Sequence, residues 1–258
     1  MTEVFNNGNK GKPNFTFVVA TQMSEDDWSN GKKEPQLLQS LSKMRLDEVD
    51  VRVFVFFSNV SGLSSCYNRA IDEIRRVEIE IPKFIVFVHD DITLNDCFFF
   101  DKIIGSKFDV IGPVGGCYWG IPSGFDVEHN PLIWTVATCG KGASGFMNHD
   151  LASSGHLGVY LPSSYGPSPL PTVSLDGCCL ILNRYAVERG LRFDTEFDRF
   201  DFYDHALVQS ALKLNLKVGT VPILCTHCSV GAGVLSHTEE YLKYQKKFIE
   251  KYFIAKMG

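Results

Sequence analysis

Three strand-length, largely apolar runs, Phe15–Ala20, Val51–Phe57 and Phe84–Val88, alternate along the chain with segments of helical period. Strands without a polar face must be covered on both sides, which is the condition of a parallel sheet flanked by helices. The covers are at hand. Glu34–Leu46 carries Leu37, Leu38, Leu41 and Met44 on one face, and Ser65–Val77 carries Tyr67, Ala70, Ile71 and Ile74. A third helix is predicted over Leu94–Ile104, followed by a short strand over Phe108–Ile111. This order predicts an α/β fold: a Rossmann-like, mostly parallel central sheet with right-handed crossovers. Ligands of such sheets bind beyond the carboxyl ends of the strands. Here those ends bring Thr21, Asn59 and the cluster His89-Asp90-Asp91.

The remainder divides into three parts. Residues 1–14 are Asn/Gly/Lys-rich and are predicted to fray. Gly112–Pro171 is rich in Gly, Pro, Ser and Asn, the composition of a long functional loop or lid. Regular structure is predicted to return with a strand over Val173–Asn183, interrupted at Asp176-Gly177, then a helical turn at Arg184–Glu188. A helix over Phe202–Leu214, a strand over Lys217–Leu224 and a terminal helix over His237–Phe253 complete the chain. The domain reading is a flexible 1–14, a single domain over 15–236, and a C-terminal helix in 237–258. That helix is amphipathic, so it packs on the sheet or, alternatively, rests on a membrane surface.

Charge removes one class of function. The net charge of −5 leaves no general basic surface for nucleic acid. No secretory leader and no stretch of membrane-spanning length stands out, which predicts a cytoplasmic location. The eight cysteines are then reduced thiols. Cys225-Thr-His-Cys228 has the spacing of half a zinc site, but no second pair accompanies it.

Four polar clusters interrupt apolar surroundings, and each has a plain structural explanation. Asp91 could cap a helix, Asp176-Gly177 could be a turn, Phe193–His205 could be acidic capping, and His227 a loop residue. Their succession is more telling. Tyr67-Asn68-Arg69-Ala70-Ile71, Val88-His89-Asp90-Asp91, Asp176-Gly177, Phe193-Asp194 through Phe197 and Phe200 to Phe202-Tyr203-Asp204, and His227 before Gly231 run in that order. Over residues 15–234 this resembles family 2-like glycosyltransferases of the GT-A fold, in a branch with a His-Asp-Asp metal motif. Tyr203 stands where that family usually has Glu.

The resemblance implies transfer of a sugar from a nucleotide-diphosphate sugar, UDP-linked, to a hydroxyl of a glycan or glycoconjugate, with inversion. Asp91, with Asp90 and His227, would hold Mn2+ or Mg2+. Asp204 would be the base and Asp176 would hold sugar hydroxyls. Donor contacts would come from Thr21, Gln22, Asn59, Asn68, Arg69, His89, Asp90 and Trp119. Trp119 and Trp134 stand in the long central region, where they could stack on a sugar or anchor the loop, with Lys141 near the diphosphate. Gly115, Gly116, Gly140 and Gly142 would let that region close. The partners are the nucleotide-sugar donor and the glycan acceptor, with no nucleic acid and, at most, a peripheral membrane contact. Two rivals stand beside this: a sugar nucleotidyltransferase, whose Gly-rich loop is missing from Val19–Ser24, and a non-catalytic sugar- or nucleotide-binding domain.

Overall fold

The computed structural model describes residues 1–30, 36–77, 80–118, 142–150, 160–228 and 239–253. The strands, in chain order, are β1 Thr2–Asn6, β2 Asn14–Ala20, β3 Asp50–Phe56, β4 Phe84–His89, β5 Ile92–Leu94, β6 Val110–Gly112 and β7 Val114–Gly116. They continue with β8 Ala143–Asp150, β9 Tyr160–Gly166, β10 Ser174–Leu175, β11 Cys179–Asn183, β12 Val218–Thr220 and β13 Cys225–His227. The helices are α1 Glu25–Ser29, α2 Gln36–Leu41, α3 Leu63–Val77, α4 Phe99–Ile104, α5 Arg184–Glu188, α6 Tyr203–Lys213 and α7 Glu239–Tyr252.

The first sheet runs in the order β1-β3-β2-β4-β11-β6-β12. Its centre is parallel, β3 with β2 and β2 with β4, as the apolar runs require. β11 enters antiparallel between β4 and β6, and β1 is an antiparallel edge. Both faces are buried, and the two-residue period of each strand divides them. Phe15, Phe17, Val19, Val86 and Val88 face α2 and α4, while Val18, Ile85, Phe87 and Leu180 face α3 and α6. Phe87 packs between Tyr67 and Phe193, at ring centroid distances of 4.8 and 5.0 Å.

A second sheet, β10-β7-β8-β13-β5 with β9 beside β8, was not anticipated. Its strands are short or rich in Gly, Ser and Asn, so their pairing is imposed by tertiary context rather than by β-propensity. It replaces part of the expected loop of Gly112–Pro171 and the start of the expected helix over Leu94–Ile104. Ile92–Leu94 pairs with Cys225–His227, and helix begins only at Phe99. The expected strand over Lys217–Leu224 is shorter, Val218–Thr220 in the first sheet, and beyond Pro222 a separate strand, Cys225–His227, joins the second.

Two further expectations change. Thr2–Asn6, expected to fray, forms the edge strand, held by its ladder to β3 and by the Glu3–Arg52 ion pair. The helix expected over Glu34–Leu46 is shorter, because the hydroxyls of Ser40 and Ser42 bond to backbone carbonyls and end it at Leu41. Helix α7 packs on the protein. Phe248 and Tyr252 lie against Phe197, and Phe248 also lies against Phe202. No helix among the described residues is long and apolar enough to cross a membrane.

The two sheets meet along a seam that the described strands cross five times, once through α4 between β5 and β6 and four times by short connections. The short connections run from β4 to β5 through Asp90-Asp91, from β6 to β7 through Pro113, from β10 to β11 through Asp176-Gly177-Cys178, and from β12 to β13 through Val221–Leu224. Two of these crossings carry the carboxylates singled out from the sequence.

Candidate active site

β4 ends at His89, and the turn Asp90-Asp91 into β5 leaves Asp91 beside His89 while Asp90 is directed to Thr21. His89, Asp91 and His227 each offer an atom, all within 4.8 Å of one another. Asp90 is engaged elsewhere: its Oδ2 accepts the Thr21 hydroxyl at 2.7 Å, tying β4 to the end of β2. The cluster therefore contains His89 where Asp90 was expected. It is the one group of this kind among the described residues.

The cluster fits a cation. Nε2 of His227 lies 3.4 Å from Oδ2 of Asp91, without hydrogen-bond alignment. That nitrogen and Asp91 Oδ1 are buried and have no hydrogen-bond partner among the described residues. Orphaned buried polar atoms are costly, about 1–3 kcal/mol each, unless something pairs with them. Burial raises the Asp91 pKa, but His227 beside it wins and holds the carboxyl below its usual range. Burial lowers His227, and the neighbouring Asp91 and Asp176 more than reverse that. His89 is driven toward the neutral form by burial and then by the charge of His227. Two imidazoles and a carboxylate can hold a divalent transition-metal ion, and the nitrogen ligands suit Mn2+ better than Mg2+.

Two more carboxylates border this cluster. Asp176 accepts the Cys178 N–H at 3.0 Å, and burial, which would raise its pKa, is outweighed by His227 and these peptide dipoles. Asp204 lies in the first turn of α6 and is largely but not fully buried, its side chain 15% exposed. Burial raises its pKa; His205 opposes this and the charge of Asp176 reinforces it, leaving the net shift upward. The His205 N–H reaches it at 2.7 Å. A carboxylate held above its ordinary range at a site is poised to accept a proton.

Local sequence explains how α6 comes so close. Gly177 has no side chain; a Cβ there would lie 2.3 Å from the Tyr203 hydroxyl oxygen and 3.1 Å from Asp204 Cβ. Tyr203 donates its hydroxyl to the Gly177 carbonyl at 2.7 Å, and the same oxygen lies 2.7 Å from His89 Nε2. The helix is entered through Phe202 at φ 62, a left-handed conformation costly for a bulky residue and of the kind that gathers at functional sites. Upstream, Asp198 receives the Ser65 N–H and hydroxyl, both at 2.6 Å, so the acidic segment also ties down the start of α3.

The remaining predicted residues are distributed as follows. Thr21 is at the site margin through Asp90. Asn59 bonds its own loop at the Ser61 carbonyl, and Gln22 is exposed. Asn68 is not directed at the cluster: its amide is consumed by both backbone groups of Phe193, at 2.8 and 2.9 Å, and clamps that segment to α3. Arg69 stacks on Phe56 at 4.6 Å, at the end of β3. Trp119, Trp134, Gly140 and Lys141 lie outside the described residues. The four cysteines Cys66, Cys178, Cys179 and Cys225 are buried, and the Cys228 thiol bonds to Gln36, as expected of reduced thiols in a packed interior.

Sequence reasoning missed two residues. His149, on β8, has its ring 6.2 Å from that of His227; strand pairing with His227 places it there, and a lone His in a loop-like stretch gave no signal. Phe200, largely exposed, has its ring 5.3 Å from His89 at the mouth of the site. On the other side of β13, where Thr226 and Cys228 alternate with His227, lies a cleft of about 450 Å³ lined by Gln36, Thr93, Asn95, Asn148 and Asp150.

No protein-family model and no curated protein matches this sequence. Among solved structures, GalNAc-T7 with UDP, GalNAc and Mn2+ aligns with a TM-score of 0.53 at 10% identity, over 92% of this chain and 48% of that one. The chain thus spans about half the length of that neighbour. The mannosyltransferase PcManGT from Pyrobaculum calidifontis, in complex with GDP-Man and Mn2+, aligns at 0.46 and 13% identity over 96% of this chain and 65% of that one. The catalytic domain of Drosophila beta1,4galactosyltransferase 7, complexed with xylobiose, aligns at 0.43 and 11% over 80% and 64%. The fold is of the GT-A type.

Proposed function

We propose that this chain is a metal-dependent, family 2-like glycosyltransferase. It would move a sugar from a nucleotide-diphosphate sugar, UDP-linked, to a hydroxyl of a glycan or glycoconjugate, with inversion. The observation that carries the reading is the convergence of His89, Asp91 and His227, with two buried unpaired atoms, on the seam that also holds Asp176 and Asp204. The GT-A fold supports it, as does the likeness to a transferase whose structure holds UDP, GalNAc and Mn2+.

His89, Asp91 and His227 would hold the divalent ion, Mn2+ in preference to Mg2+ because two of the three ligands are imidazoles. When bound, the ion offsets the charge that grows on the departing diphosphate. Asp204 takes the proton from the acceptor hydroxyl as its oxygen bonds to the anomeric carbon and the bond from that carbon to the diphosphate breaks. Asp176 orients sugar hydroxyls between the two centres. Thr21 holds Asp90 at the donor end, and Arg69 lies with Phe56 on the same rim. Burial raises the Asp204 pKa, and the N–H of His205 opposes part of that rise.

A panel of sugar nucleotides with Mn2+, read by diphosphate release, tests this. Turnover with at least one donor, lost on adding EDTA and in Asp204→Asn, is expected. Nucleotide binding with no turnover, equal in both proteins, would instead mark a binding domain.

A further inference from the structure

The geometry points to Tyr203 as a positioning residue that fixes the His89 ring as its Nε2–H tautomer and so presents the Nδ1 lone pair to the cation. This rests on the metal reading of the cluster.

The reasoning is a proton count. The Tyr203 oxygen makes two short contacts, 2.7 Å to the Gly177 carbonyl and 2.7 Å to His89 Nε2. A carbonyl can only accept, and a phenol carries one proton, so that proton goes to Gly177. The contact with His89 is then a hydrogen bond only if Nε2 carries a hydrogen and donates it to the phenol oxygen. The neutral ring has one N–H, which leaves Nδ1 as the lone pair. With Nε2 committed to Tyr203, Nδ1 is the atom left to join Asp91 and His227. A chain of this form, from backbone carbonyl through phenol to imidazole, orients a ligand and sets its tautomer from outside the coordination shell. It also joins two peculiarities of the sequence. A His at the first position of the metal motif needs a partner that can both donate and accept. A Tyr stands where the related enzymes usually carry Glu, which at neutral pH could accept from the ring but could not also donate to Gly177. The Tyr203 ring is anchored for this task, buried and within 6.2 Å of Phe193.

The test combines imidazole nitrogen-15 shifts of the metal-free protein with Mn2+ titration followed by electron paramagnetic resonance. His89 is assigned by the resonance missing in His89→Gln. The wild type is expected to show His89 protonated at Nε2. Tyr203→Phe, which keeps the ring, should bind Mn2+ about 10–100-fold more weakly and lose the single-tautomer signature. Protonation at Nδ1 in the wild type overturns the inference, whether or not the variant folds. So does a folded Tyr203→Phe with unaltered Mn2+ affinity. Failure of the wild type to take up Mn2+ while His89 still shows Nε2–H removes the metal reading itself, and the ligand role of His89 with it.

Discussion

Gly177 permits the approach on which the site depends, and Gly177→Ala tests it. The added methyl would sit 2.3 Å from the Tyr203 oxygen, 2.7 Å from its Cζ and 3.1 Å from Asp204 Cβ, whereas ordinary contact begins near 3.4 Å. None of these atoms is the end of a flexible chain: the ring is packed among Tyr67, Phe193 and His89, and the carboxylate sits in the first turn of α6. The start of α6 must therefore retreat by about 1 Å, a displacement that costs roughly 100-fold in rate when it moves a reacting group. Overpacking of this kind costs about 1–3 kcal/mol. At about 2–4 °C per kcal/mol for a domain of this size, a mid-range value lowers the melting temperature by roughly 4–8 °C. The Tyr203–Gly177 hydrogen bond stretches as well, so Mn2+ affinity should fall alongside turnover. Thermal melts, Mn2+ titration and diphosphate release on the same preparation decide the matter. A variant that melts, binds Mn2+ and turns over like the parent would show that the tight fit at Gly177 is not what sets Asp204 and His89.

Three other outcomes are expected. Asp204→Asn should lower turnover about 10²–10⁴-fold while raising the melting temperature at pH 7. Burial holds the folded pKa above the ordinary carboxyl value of 3.8, so this carboxyl's favourable contribution is complete below that value and is lost as pH climbs through the folded one. Asp201 behaves in the same sense without a role in the chemistry: burial, then Asp204 and Glu240, raise it to about 6. Asp201→Asn should therefore stabilise above pH 6, with the gain vanishing below the unfolded value near 3.8 in pH-dependent melts; a gain that persisted in acid would contradict this. Mn2+ at 100 times its Kd should raise stability by about 2.7 kcal/mol, reversibly with EDTA. Asp91→Asn and His227→Ala should abolish that shift, and its survival in both would move the ion elsewhere.

The first sheet was legible because strands apolar on both faces can lie only between two layers of helix, and β2, β3 and β4 fall within a residue of their predicted limits. The second sheet was not. Strands of two or three residues, such as Ser174–Leu175 and Cys225–His227, leave no periodicity to read and are made by the partners they meet. The motif order singled out Asp91, Asp176, Asp204 and His227, and the fold brings them near one another. The third member of the cluster, His89, was less legible, because the turn Asp90-Asp91 that leaves it beside Asp91 has no strand period to read. Asn68, expected among the donor contacts, has its amide taken up by both backbone groups of Phe193 and so holds that segment to α3. The Tyr203 relay could not be foreseen, because it depends on sub-ångström placement of residues 26 and 114 positions apart.

The outermost strand has a practical consequence for the molecule as a material. Thr2–Asn6 lies over β3, whose seven residues are mostly buried, and it ends the sheet with a register slip at Glu3/Phe5 and a charged side chain. Cutting away the first six residues would uncover a long, flat, hydrophobic margin of amide and carbonyl groups open to other copies. Removing these residues is accordingly expected to promote intermolecular strand addition and precipitation.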